Sequence, residues 1–330
     1  MNPKVKISSK ANKNEPHAAA PIVRAAELSP LAPEIKPGQS IELLKELHIL
    51  TRDGKLNQDS RRKLKQVYHL FQFIEKLLLE LPEGGAHATL ADHGAGKSYL
   101  GFIIYDLFYK AQPAGMADAT AELPKSGLRA GHIYGIETRS ELVEKSRELS
   151  ARLGFERMSF LNLSVAQSAQ SDALPAQIDM VTALHACDTA TDDAIAFGLQ
   201  KQAQFMVLVP CCQAEVARAL SVNKAFNLNR TPLAELWRHP LHTREMGSQI
   251  TNVLRCLYLE AWGYQVTVTE LVGWEHSLKN ELIIARRTGY KKQASGQRLR
   301  ALLQEFGLPE LLHTRFTLPQ VAGDILTGDV

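Results

Sequence analysis

The tightest constraint on the fold of this chain is an alternation that begins at Ala86, where short apolar runs start to give way, again and again, to amphipathic segments. Short buried strands separated by helical stretches are joined by crossovers, and crossovers build a mainly parallel sheet with helices on its faces. The runs predict strands at 88–91, 132–136, 158–161, 180–184, 205–209, 265–272 and 281–285. Only residues 273–280 separate the last two, too few for a helical crossover, so this pair should be antiparallel at one edge. The expected fold class is α/β, a seven-stranded sheet with an antiparallel last pair.

Upstream of the sheet the pattern differs. Residues 1–38 mix Lys, Asn, Ala, Pro and Ser with little apolar periodicity, a composition that does not offset the entropy of ordering, and a disordered basic tail is expected. Ser40 is placed to cap a short helix reaching about residue 50, and Asp53-Gly54 supplies a turn. Between 59 and 81, Leu64, Val67, Phe71, Ile74, Leu77 and Leu78 recur in steps of three and four, which predicts a longer helix with one buried face. The chain thus divides into a tail (1–38), an N-terminal helical segment (39–85), the sheet domain (86–290) and a C-terminal extension (291–330). Residues 111–130, rich in Ala, Pro and Gly, form a surface insert, and a further helix carries Asn252, Val253, Leu254, Leu257, Tyr258 and Ala261.

With 45% hydrophobic and 22% charged residues among 330, the chain has apolar surface for one large domain or two modest ones. The longest apolar runs, such as 101–105 and 205–209, fall far short of the roughly 20 residues that span a bilayer. No apolar stretch of signal-peptide length follows the N-terminal lysines. The cysteines, Cys187, Cys211, Cys212 and Cys256, are too few for a disulfide framework. A cytoplasmic location is the expectation. The net charge of +3 is uneven: within residues 1–24, Lys4, Lys6, Lys10, Lys13 and Arg24 face only Glu15, and Arg286, Arg287, Lys291, Lys292, Arg298 and Arg300 follow one another without an acid. Such stretches can meet nucleic-acid phosphates or can be solvated surface.

The chemistry concentrates at the tip of the first strand, Asp92-His93-Gly94-Ala95-Gly96, followed by a helix expected from Lys97. Glycines let backbone turn sharply and approach a ligand without a Cβ in the way. Three kinds of loop begin like this. A dinucleotide loop needs a third glycine where Tyr99 stands. A phosphate-cradling loop matches at Gly96-Lys97-Ser98, but Ala91 replaces its first glycine and Asp92 sets a carboxylate where phosphates would lie. S-adenosylmethionine has no phosphate and carries an ammonium and a sulfonium, so Asp92 suits it. Glu137, at the end of the second strand, can accept both ribose hydroxyls; it lies 45 residues beyond Asp92, the insert accounting for most of the excess over the usual ~20. Asn162 follows the third strand, where it is either a contact to the adenine edge or a turn residue. The cofactor-binding set is therefore Asp92, Gly94, Gly96, Lys97, Glu137 and Asn162, in a Rossmann-like sheet with the layout of class I methyltransferases.

On the acceptor side, His185-Ala186-Cys187-Asp188 ends the fourth strand and Pro210-Cys211-Cys212-Gln213 the fifth, at the carboxyl edge where open sheets bind ligands. Together with 92–97 and Glu275-His276-Ser277-Leu278-Lys279-Asn280, these runs resemble a family that includes the methyltransferase part of the glutathione S-transferase C-terminal domain-containing protein and the ribosomal RNA adenine dimethylase domain-containing proteins. The resemblance covers about 61–287 and implies a class I fold and S-adenosylmethionine as cofactor, with Lys65 and Gln66 lying before the loop and covering the pocket. The long insert and Ser98-Tyr99 after the lysine depart from the family pattern.

Methyl transfer from a sulfonium is an in-line displacement that needs mainly positioning. His185, whose ordinary pKa of about 6.5 suits proton transfer near neutrality, is a candidate base, with Asp188 to align it; a buried backbone-bonded histidine is the alternative. Cys211 and Cys212 face the acceptor either as nucleophile candidates or as small packing residues. Adjacent cysteines with no second CxxC pair do not make a zinc site, so no metal is expected. RNA is the favoured acceptor, on the basic stretches and the resemblance, with protein as another. The rivals are a P-loop NTPase and a catalytically silent nucleic-acid-binding methyltransferase fold.

Overall fold

A computed structural model describes residues 34–36, 38–96, 98–110, 129–184, 186, 188–210, 214–223, 232–271 and 281–319. Lys97, His185, Cys187, Cys211, Cys212, Gln213 and the run holding His276, Lys279 and Asn280 lie outside them, as do most of the expected tail and insert. The expected seven strands are present: β1 (Thr89–His93), β2 (His132–Glu137), β3 (Met158–Asn162), β4 (Met180–Leu184), β5 (Phe205–Val209), β6 (Tyr264–Glu270) and β7 (Glu281–Arg287). They lie in the order β3-β2-β1-β4-β5-β7-β6. β1 to β5 pair parallel, while β7 is antiparallel to both β5 and β6. The order reverses at β1, whose neighbours are β2 and β4. Open sheets leave a ligand crevice at such a point, beyond the strands' carboxyl ends.

Among the described residues two α-helices precede the sheet. α1 (Ile41–Glu46) is capped by Ser40, whose side chain accepts from the Leu43 amide at 3.2 Å. α2 (Gln58–Leu79) is capped by Asn57, which accepts from Ser60 at 2.8 Å. The buried stripe of α2, Leu64, Leu70, Phe71, Ile74, Leu77 and Leu78, belongs to the same apolar cluster as Leu90, Ile133 and Phe160 of the sheet. Contiguous burial of this kind, at roughly 25 cal/mol per Å² of apolar surface, welds the segment to the sheet. Arg286 of β7 adds an ion pair to Glu80 just after α2. Glu34–Lys36, assigned above to the tail, are packed too: Ile35 is buried in the cluster, and Glu34 pairs with Arg61 at 2.7 Å.

Along the sheet follow α3 (Tyr99–Ile104), α4 (Ser140–Leu153), α5 (Val165–Ala169), α6 (Ala190–Gln200), α7 (Glu215–Asn223), α8 (Pro240–Ala261), α9 (Gln293–Glu305) and α10 (Leu311–Thr314). The described part of the C-terminal extension, 291–319, is packed as well, because Leu299, Leu303, Leu308, Leu311 and Phe316 join a second cluster with α6, α8 and the opposite face of the sheet. No helix among the described residues is long and apolar enough to cross a membrane.

Candidate cofactor crevice

Strand alternation sends Asp92 and His93 to opposite faces of β1. Asp92 faces the crevice, in register with Thr182 of β4, whose hydroxyl donates to Oδ1 at 2.8 Å. Ser98 Oγ, with no exposed surface, lies 3.5 Å from Oδ2, and the Gly101 amide also donates to this carboxylate. Burial raises the Asp92 carboxyl to about 6, only partly offset by those donors. Ser98 holds a left-handed backbone (φ 51°), an arrangement that costs energy outside glycine and clusters at functional sites. Behind it α3 starts at Tyr99 rather than at Lys97 and yields to a π turn after six residues.

Gly94 and Gly96 both have positive φ, 62° and 56°, which licenses the turn predicted for the loop. Two bonds pin the loop to β2: Ala95 N–H donates to Ile136 O at 3.2 Å and Gly96 N–H to Glu137 Oε2 at 2.8 Å. Burial pushes the Glu137 carboxyl up, but donors from Arg139 and Gly96 outweigh it and hold it at about 2. The Arg139 guanidinium grips both Glu137 oxygens at 3.0 Å, so a ribose would share this carboxylate with Arg139. Asn162 is in register with Glu137, and its Nδ2 donates to the carbonyls of Glu137 and Thr138, fixing the chain where β2 ends.

Beside this loop lies a cavity of about 440 Å³ lined by Asp92, Gly94, Ala95, Gly96, Tyr99 and Leu184, with Lys63, Gln66, Val67 and Leu70 of α2 as its far wall. Ligand sites typically hold roughly 300–1,000 Å³. Gln66 therefore covers the pocket as the resemblance implied, whereas Lys65 points to solvent and Lys63, not singled out from sequence, takes its place. Gly101 is the other residue missed. A Cβ there would sit 2.6 Å from Ser98 Oγ, so the close approach that the three-glycine pattern seeks at Tyr99 is met two residues later. A glycine inside a helix, where it costs about 1 kcal/mol, was the available signal.

On the acceptor side Asp188, another left-handed residue (φ 53°), bridges two loops. Its Oδ1 accepts from the amides of Ala214 and Glu215 at 2.8 and 2.9 Å, and its Oδ2 from Arg218 at 3.0 Å. Burial would raise this carboxyl, yet those donors hold it below the ordinary range. The carboxylate expected to align His185 thus caps α7, joining the loop after β4 to the loop after β5. Arg255 of α8, fully buried, binds Asp192 through two bonds of 2.7 and 2.6 Å and donates to the Asp188 carbonyl at 2.9 Å.

His93, on the other face of β1, is buried with no hydrogen-bond partner for either ring nitrogen and packs edge-on against Phe197 at 4.3 Å. Burial alone lowers its pKa to about 3, so the ring is neutral. The basic stretch falls elsewhere. Arg286 pairs in register with Phe205 at the start of β5, the edge opposite the crevice. Lys292 and Arg298 both pair with Glu260, and Lys291 lies over Trp262. No group of three or more His, Cys, Asp or Glu side chains that could hold a metal occurs among the described residues.

Residues 62–219 match a family described as a methyltransferase domain. The sheet order, the loop and this match define the class: a Rossmann-like α/β methyltransferase that uses S-adenosylmethionine. Solved structures similar to the chain include the Methanococcus jannaschii fibrillarin pre-rRNA processing protein, at 11% identity over 62% of this chain and 68% of that one, with a TM-score of 0.38. Another is M. capricolum TrmK in complex with S-adenosylhomocysteine, at 8% identity over 68% and 70%, TM-score 0.36. A third is the Synechocystis PCC 6803 magnesium protoporphyrin IX methyltransferase with bound S-adenosylhomocysteine, at 12% identity over 75% and 93%, TM-score 0.39. No curated protein matches the chain.

Proposed function

We propose that the chain methylates RNA, with S-adenosylmethionine lying in the crevice over Gly94 and Gly96. The observation that carries the cofactor placement is the 440 Å³ cavity that combines the glycine loop with the buried carboxylate of Asp92. Glu137 takes the ribose side, and Asn162, its amide nitrogen committed to backbone, offers the adenine edge its carbonyl oxygen. Lys97 follows the loop in sequence. When bound, the cofactor supplies an electrophilic methyl group on sulfur. The protein's part is to hold the acceptor in line about 3–3.5 Å away and keep water out. His185, Cys211 and Cys212 belong to the two loops that Asp188 joins, and they receive the acceptor. Support for RNA comes from the exposed cations Arg61, Arg62, Lys63 and Lys65 on α2, of which Lys63 lines the cavity, rather than from the stretch at the opposite edge.

The P-loop alternative is disfavoured by Ser98. The hydroxyl that would meet magnesium is buried against Asp92. Incubation with radiolabelled S-adenosylmethionine and total cell extract tests the acceptor. Label that nuclease releases and protease does not supports RNA. Label that protease alone removes overturns it.

A further inference from the structure

The crevice is chemically two-ended. Asp92 brings a buried carboxylate to the inner wall from β1, and α2 closes the outer wall with Lys63, Gln66, Val67 and Leu70. Those four positions follow the i, i+3, i+4, i+7 spacing of a single helix stripe. Val67 and Leu70 give it an apolar floor, and Lys63 and Gln66 give it two donors at the rim. Among the described residues lining this cavity the cations are Lys63 and Arg139, and Arg139 is already gripped by Glu137 through two bonds of 3.0 Å. Lys63 makes no ion pair with any of the described residues. Its neighbours Arg61 and Arg62, by contrast, face Glu34 and Asp59.

A cavity with an acid on one wall and an unpaired cation on the other fits a zwitterion better than it fits either charge alone. We infer that Lys63 of the N-terminal helix binds the α-carboxylate of the cofactor's amino-acid arm, opposite Asp92, which takes the α-ammonium. The inference rests on the placement of S-adenosylmethionine above and assigns the N-terminal helical segment a direct part in cofactor selection. A nucleoside thioether without the amino-acid arm would reach the loop and Glu137 but leave Lys63 and Asp92 unmet.

Calorimetric titration of the full chain with S-adenosylhomocysteine and with 5′-methylthioadenosine separates the possibilities. Lys63→Met, at an exposed position where folding is checked by an unchanged melting temperature, should weaken S-adenosylhomocysteine roughly tenfold, the scale of one charge-assisted bond at a rim. It should leave methylthioadenosine as it was, and Lys63→Arg should restore most of the loss. Equal affinity of wild type and Lys63→Met for S-adenosylhomocysteine overturns the role of Lys63 while leaving the crevice intact. Equal weakening of both ligands overturns it too, since the effect would not lie on the amino-acid arm. Failure of the wild type to bind either compound would sink the cofactor placement itself.

Discussion

Asp92 and His93, adjacent in sequence and opposite in direction, carry opposing pH signatures. A carboxyl raised from 3.8 to about 6 binds its proton more readily folded than unfolded, so its contribution to stability is lost as pH rises through that window. The deficit at neutral pH is about 3 kcal/mol, at ~1.4 kcal/mol per pH unit. Asp92→Asn should therefore stabilise the cofactor-free protein by about 1–2 kcal/mol in urea unfolding at pH 7, part of the gain being lost to an amide where acceptors are wanted, while abolishing S-adenosylhomocysteine binding. Unchanged binding would remove Asp92 from the site. The imidazole of His93, lowered from 6.5 to about 3, works the other way: its stability is present above 6.5 and lost as pH falls toward 3. His93→Leu should flatten the acid limb of a urea-midpoint profile and, by removing two unpartnered nitrogens, gain about 1 kcal/mol at pH 7. A steeper acid limb would mean that the ring is partnered. The sharp turn at Gly94 and Gly96 could be read from sequence because backbone freedom is a local property. That Asp188 caps α7 could not, since its partners lie 26 and 27 residues away.

At the scale of elements, the alternation of apolar runs located all seven strands, and the misplacements have a cause. The run at 88–91 ends where polarity begins, yet β1 continues through Asp92 and His93 because Thr182 satisfies the one and burial neutralises the other. β7 likewise runs on to Arg287, its neighbour Arg286 finding Glu80. The start of α1 was legible through its cap Ser40, whereas Asn57, which caps α2, was not singled out; Asn57→Ala should cost about 1 kcal/mol in thermal unfolding. The packing of α3 was not legible, because a spatial gap shows no periodicity. Gly101→Ala improves intrinsic helix propensity but drives a methyl to 2.6 Å from Ser98 Oγ. The expected result is a loss of S-adenosylhomocysteine affinity of at least tenfold with unchanged far-UV circular dichroism. Full affinity in the variant would show that the contact is yielding.

For the whole molecule, composition suggested a tail, a helical segment, a sheet domain and an extension as successive parts, whereas among the described residues burial joins the helical segment and the extension to the sheet. α2 shares its apolar cluster with β1, β2 and β3, and α9 and α10 share theirs with α6 and α8. Scanning calorimetry should accordingly record one transition, and a chain lacking residues 39–85 should neither melt cooperatively nor bind S-adenosylhomocysteine. Two transitions, or a competent truncated chain, would contradict a single cooperative unit. Long-range joins of this sort escape a linear reading because each is a match between surfaces far apart in the chain. The bridge at Asp188, held from behind by Arg255, couples the chain after β4 to the start of α7; on the proposed reading, in which those two loops meet the acceptor, they share one hinge pin, so tailoring either one obliges its neighbour to follow.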